Sequence, residues 1–147
     1  MWERKSFEEL TKRELYSILQ LRVQVFVVEQ ECPYPELDGK DERCVHIWKE
    51  RNGSIEAYCR IVPPEVENGS YAIGRVLVTQ EARGTGTGRE LMERAISFLK
   101  EEVHASSIWL HGQEYLRSFY GSFGFTEVSD VYLEDDIPHV DMQMLIK

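Results

Sequence analysis

Basic residues are the first shortage in this sequence: 17 Lys and Arg stand against 26 Asp and Glu, a formal net charge of −9. Surfaces that bind nucleic acid or anionic membranes need that balance reversed, because Lys and Arg make the phosphate contacts. No nucleic-acid and no membrane partner is therefore expected, whereas an amine-bearing substrate is compatible with an acidic surface. Cysteine is scarce as well. Cys32, Cys44 and Cys59 are odd in number and lack CxxC spacing, so free thiols are expected, with no disulfide framework and no metal. No run approaches the roughly 18 consecutive apolar residues of a membrane span. The opening MWERKSFEEL lacks the apolar core of a signal peptide, which predicts a cytoplasmic protein. Repeats, low-complexity runs and convincing linkers are missing too, and 147 residues at 42% hydrophobic content suffice for one domain with its own core.

What is present falls into short, well-punctuated elements. Thr11-Lys12-Arg13-Glu14 has the form of a capping box, and Leu15, Ile18, Leu19, Arg22, Val25 and Phe26 repeat at helical spacing behind it. This predicts a helix over about 12–26, with a short strand at Trp2–Lys5 ahead of it. Arg22 lies on or beside the apolar stripe, where pairing with a carboxylate or snorkelling to water would accommodate it. Residues 29–44 hold six acidic residues, two prolines and Gly39 without any period. Connections this long in a compact domain are often functional, although a solvated acidic loop would read the same way. Strands follow at Val45–Glu50 and Ile55–Val62, joined by the hairpin signal Asn52-Gly53. Pro63-Pro64 and Asn68-Gly69 punctuate the next connection, before a strand over about Tyr71–Val78.

That strand runs into Arg83-Gly84-Thr85-Gly86-Thr87-Gly88 and then into a helix with Leu91, Met92, Ala95, Ile96 and Leu99 on one face. A strand, a glycine-rich turn and a helix start make an anion site, because glycines admit a close approach and the first helical N–H groups lack partners. The guest expected is a phosphate or pyrophosphate. A Walker A loop is excluded, since Gly88 is followed by Arg89-Glu90 in place of Lys-Ser/Thr. The dinucleotide fingerprint GxGxxG is not met by glycines at 84, 86 and 88. Beyond this helix, Ser107–His111 reads as a strand parallel to the one before it. Tyr115, Leu116, Phe119, Tyr120 and Phe123 mark a short aromatic helix ended by Gly124, and Val128–Leu133 and Val140–Ile146 read as closing strands. The expected order is αβββαβαββ, preceded by the extra strand.

Arg83, Gly86 and Gly88 resemble the acetyl-CoA loop of the GNAT superfamily of N-acetyltransferases, Arg/Gln-x-x-Gly-x-Gly/Ala. An unliganded glycine turn could share that loop. The segment Tyr120-Gly121-Ser122-Phe123-Gly124-Phe125, 32 residues beyond Gly88, adds the Tyr-x-x-x-Gly-Phe element of the same superfamily. Val25–Gly39, Ile73-Gly74-Arg75-Val76 and the tail Asp135-Asp136-Ile137-Pro138-His139 resemble its ElaA-like branch, whose tail commonly carries Gly where Asp136 stands. The resemblance covers essentially the whole chain. It implies an α/β, GNAT-like fold in a single domain over 1–147, with a mixed central β-sheet flanked by helices.

The resemblance also implies an activity: transfer of an acetyl group from acetyl-CoA, the co-substrate, directly to a primary amine of a small molecule or peptide. Val76, Leu77 and Val78 would offer backbone groups to the pantetheine arm. Arg83, Gly84, Thr85, Gly86, Thr87, Gly88 and Arg89 would hold the pyrophosphate. Gln113 occupies the place of an asparagine that touches the cofactor in many members. Tyr120 would protonate the departing thiolate, a task suited to a group that is neutral at pH 7. For the base the sequence offers Glu29, Asp38, Asp41, His46, Glu114 and His139 without choosing, and His46 and His111, in predicted strands, are equally compatible with structural roles. A non-catalytic acyl-CoA-binding sensor module with a protein partner is the alternative. Nothing in the sequence decides between a monomer and a homodimer.

Overall fold

Three Arg residues and three carboxylates that are far apart in sequence are drawn together by a mixed sheet, and that sheet positions everything else. The computed structural model describes residues 1–66 and 69–146; Asn68 of the expected Asn68-Gly69 turn lies outside them. The elements are β1 (Trp2–Ser6), α1 (Lys12–Val23), β2 (Val45–Arg51), β3 (Ser54–Val62), β4 (Tyr71–Val78), α2 (Thr87–Ser97), β5 (Ser107–Gln113), α3 (Arg117–Gly121), β6 (Thr126–Glu127), β7 (Tyr132–Glu134) and β8 (Ile137–Leu145). The sheet runs β1-β2-β3-β4-β5-β8-β6, with β7 pairing the first part of β8. All neighbours are antiparallel except β4 and β5, which the α2 crossover makes parallel.

The capping box forms: Glu14 N–H donates to Thr11 Oγ1 at 3.0 Å and Thr11 N–H to Glu14 Oε1 at 2.9 Å. The first helix does not simply end near residue 26. It widens into π turns over Gln24–Glu29, which swing Glu29 towards Gln80 and Arg83. Asn52 and Gly53 both take positive φ, +52° and +79°, as the tight hairpin between β2 and β3 demands. The apolar face of α2 (Leu91, Met92, Ala95, Ile96) packs on Ile47, Ala57, Cys59, Ile61, Ile73 and Ile108 to form the main core. On the opposite face of the sheet, Ile18 and Val25 of the α1 region cover Trp48, Tyr58 and Leu77.

Two expectations need correction. Residues 128–131 form no strand, because the segment arches away from β8 while Val128 N–H reaches Asp141 O and Asp141 N–H reaches Ser129 Oγ, both at 2.9 Å. Of the expected Val128–Leu133 strand only Tyr132 and Leu133 lie in a strand, β7, while β6 precedes it at Thr126–Glu127. The last strand begins at Ile137 and not at Val140, since the β7–β8 hairpin turns tightly on Asp135 and Asp136, both left-handed at φ +49° and +64°.

Candidate functional site

The parallel ladder between β4 and β5 holds only two residue pairs, Tyr71–Ile108 and Ala72–Trp109. Beyond them the strands part, and a cleft of about 1320 Å³ opens along the free edge of β4. A bulge sits at the point of separation. Tyr58 of β3 faces Leu77 but Arg60 faces Gly74, which leaves Cys59 opposite both Arg75 and Val76. Arg75 takes φ +52°, a left-handed conformation costly for a residue with a Cβ.

Its side chain explains how that conformation is held. Arg75 Nε donates to Glu36 Oε2 at 2.7 Å, and Arg22 Nε donates to the same oxygen at 2.7 Å. Arg22 continues to Asp41 (2.7 Å), Asp41 to Arg60 (2.9 Å), Arg60 to Asp38 (3.0 Å), and Asp38 back to Arg75 (3.4 Å). Six charges of alternating sign thus close a ring, with Arg22 and Arg60 almost wholly buried. Burial works against ionising Asp38 and Asp41, yet the guanidiniums of Arg60 and Arg22 outweigh it and hold both carboxyls below the usual range. The Tyr34 hydroxyl caps the free oxygen of Glu36. The acidic 29–44 loop is therefore an inward-facing clamp on β3 and the β4 bulge. Of the ring, the sequence had pointed to Arg22, Asp38 and Asp41. It had assigned no role to Glu36, Arg60 or Arg75: Glu36 and Arg75 stood only within segments that resemble the ElaA-like branch, and Arg60 and Arg75 are also arginines inside apolar strands.

At the other end of the cleft the glycine loop behaves as its sequence suggested. Gly84 and Gly86 take φ +81° and +85°, and Gly86 caps α2 without any side-chain bond. Among the described residues no protein acceptor takes the N–H groups from Gly84 to Arg89. Gly88 has a different reason to be glycine, since a Cβ there would lie 3.3 Å from Val78 Cγ2. The structure brings Val76, Leu77, Val78, Arg83, Gly84, Gly86, Gly88, Arg89, Gln113 and Tyr120 into one cleft wall. Thr85 and Thr87 stand back from it: Thr85 Oγ1 donates to Ala82 O, and the two hydroxyls lie 2.8 Å apart. They brace the loop. Arg83 bends back to Val78 O and Glu29, each at 2.9 Å, while Arg89 reaches Ser122 and lies over the Phe123 ring. Gln113 meets Gln30 across the cleft at 3.4 Å.

Tyr120 sits on α3 with its ring against Gly112, where a Cβ would approach it to 3.0 Å. Its hydroxyl has no hydrogen bond among the described residues, and burial pushes its pKa up, so it stays protonated. The candidate bases separate clearly. Glu29 is held by Arg83 and Gln80, and Arg83 keeps its pKa below the ordinary value. Asp38 and Asp41 belong to the ring. His46 is structural: its Nδ1 accepts from Tyr58 OH at 2.6 Å, its Nε2–H donates to Asp41 O at 3.1 Å, and burial holds it neutral. Glu114 is outside the cleft wall, near Arg117. His111 lines the cleft but engages Asp141 at 2.6 Å. His139 also lines it. Among the described residues no three His, Cys, Asp or Glu side chains gather as a metal site, and no helix is long and apolar enough to cross a membrane.

Comparison with known proteins agrees with this geometry. A family model described as an acetyltransferase (GNAT) domain matches residues 15–146. The Escherichia coli protein ElaA is 39% identical over 145 residues, 96% of this chain and 94% of its own. Its crystal structure superposes with a TM-score of 0.91 over 98% of both chains. An acyl-CoA N-acyltransferase from Pseudomonas aeruginosa also superposes with a TM-score of 0.91, at 44% identity and 98% coverage of both chains. With a family model matched over residues 15–146 and relatives alike along nearly the full length, the chain belongs to the GNAT acetyltransferase family, among its ElaA-like members.

Proposed function

We propose that this protein transfers an acetyl group from acetyl-CoA to a primary amine by direct attack within the cleft. The observation that carries the reading is the run of unpartnered N–H groups from Gly84 to Arg89, in the same cleft as the free edge of β4 and Tyr120. Backbone N–H groups at a helix start suit a pyrophosphate, and a free strand edge suits the amide-bearing pantetheine arm. A thioester laid along β4 puts its carbonyl at the bulge, where a backbone N–H can stabilise the developing oxyanion. The amine nitrogen attacks the carbonyl carbon, the C–N bond forms and the C–S bond breaks. The sulfur takes its proton from Tyr120, which burial keeps protonated. That the acyl group is acetyl, and the acceptor a primary amine, fits the acidic surface and the family description together.

The test is release of free CoA thiol from acetyl-CoA with a panel of small amines and peptides bearing free amino groups. Amine-dependent release with a matching amide product supports the reading. Tight CoA binding without release on any acceptor would favour a non-catalytic acyl-CoA module instead.

A further inference from the structure

The same cleft contains an imidazole that can receive the amine's proton. His139 is 8% exposed and lines the cleft beside Gln113, its register partner on β5. Its Nδ1 lies 2.7 Å from Ile137 O. A carbonyl oxygen can only accept, so Nδ1 carries its hydrogen in either charge state and Nε2 is the nitrogen on which a proton can come and go. The groups facing the ring come from β7, β5 and the hairpin turn. Tyr132 stacks on it, with ring centroids 6.1 Å apart and planes 26° apart. Glu134 Oε2 lies 3.6 Å from Nε2, the carboxyl of Asp135 belongs to the adjoining turn, and His111 is engaged with Asp141 on the same sheet face.

Strand alternation adds the decisive geometry. Val140, Met142 and Met144 of β8 face the α2 core together with Tyr120, so His139 emerges on the opposite face of the sheet. Tyr120 and His139 thus line the cleft from opposite faces of the sheet. Direct transfer needs this arrangement, with a donor where the thiolate departs and an acceptor where the amine arrives. We propose that His139 is the general base of amine acetylation, taking the ammonium proton on Nε2 and passing it through Glu134 to water. The proton lost from the nitrogen as the C–N bond matures replaces the one that Tyr120 gives to sulfur, so one net proton leaves by the His139 route. This inference rests on the acetyl-transfer reading.

His139→Asn keeps a donor towards Ile137 O and removes Nε2, which separates base from scaffold. Its turnover of an alkylamine, protonated at neutral pH, should fall about 10²-fold or more, the usual worth of a general base. An amine already neutral at the assay pH should be acetylated within a few-fold of wild type, and the inflection that His139 contributes to the alkylamine profile should vanish. Should His139→Asn fail to bind CoA, Glu134→Gln supplies the test: without the carboxylate the imidazolium is less favoured, so the inflection should move to lower pH. Equal loss with both amines, an effect confined to KM, or an unmoved inflection in Glu134→Gln would overturn the base assignment alone. If the wild-type protein acetylates no amine, the acetyl-transfer reading fails and the base assignment with it.

Discussion

Arg22 of α1 and Arg75 of the β4 bulge aim their Nε atoms at one oxygen of Glu36, each at 2.7 Å. A helix and the strand at the fork of the cleft are thereby tied to a single buried carboxylate of the long acidic loop. Glu36→Ala leaves two guanidiniums facing a void, and Arg75 loses its principal hold in a left-handed conformation. Breaking a buried ion pair by removing one partner costs about 3–5 kcal/mol. Denaturant unfolding should show a loss of that size. A change below about 1 kcal/mol, the worth of an exposed pair, would mean that the ring contributes nothing special.

Acidification should weaken the protein in two stages. Burial holds folded His46 below its ordinary pKa, whereas the unfolded chain takes up that proton near pH 6.5. Stability therefore declines as pH falls below about 6.5, because the unfolded state binds more protons. Asp38 and Asp41 have folded pKa values held down against burial by Arg60 and Arg22, so their contribution is intact above about pH 4 and is lost below it. Denaturation midpoints at pH 7.5, 5.5 and 3.5 should fall in that order. In His46→Gln the slope between the first two should flatten. A midpoint rising on acidification contradicts both assignments.

CoA should stabilise the fold, by about 2.7 kcal/mol at a hundred times its dissociation constant. Gly86→Val tests where that ligand sits. Gly86 has φ +85° with open space where a Cβ would be, so valine there strains the backbone and stands in the path to the loop N–H groups. Each charge-assisted bond lost is worth roughly 1.5–3 kcal/mol, and calorimetric affinity should fall accordingly. Gly88→Val is a different experiment, because its Cβ presses on Val78 and loses folding stability even without CoA. Normal CoA affinity in a folded Gly86→Val variant would place the pyrophosphate elsewhere.

The strand–loop–helix from Tyr71 to Leu99 was legible because each part carries its own local signal: β-branched residues, glycines, then a helical stripe. Strand bounds at Tyr71–Val78 and the capping box at Thr11 match for the same reason. The region from 128 to 133 misled, since Val128, Val131 and Leu133 are apolar yet all exposed, leaving nothing to bury a strand face. The charge ring was not legible. Its partners lie 14 to 39 residues apart, and an acidic loop looks the same whether its carboxylates face water or arginines. His139 shows the same limit. A histidine in a tail motif is visible in sequence, but the backbone carbonyl that takes its Nδ1–H is brought to it only by the hairpin turn.

Tyr120→Phe addresses the acid on which turnover is proposed to depend. The substitution keeps the ring packed against Gly112 and edge-on to Phe119, and it removes a hydroxyl with no bonding partner among the described residues. Stability should therefore stay within about 1 kcal/mol, the scale of one ordinary hydrogen bond. CoA affinity should hardly change. Turnover should fall roughly 10²–10⁴-fold, because the proton matters only as the C–S bond breaks. The deficit should shrink with thioesters of more acidic thiols, which leave without help. Gly112→Ala gives an independent check, since its Cβ displaces the Tyr120 ring and leaves the hydroxyl in place but misaligned. Both variants should lower kcat and spare CoA binding. Turnover of Tyr120→Phe within a few-fold of wild type, on any acceptor that works, would remove the tyrosine from the chemistry and leave protonation of the thiolate to water.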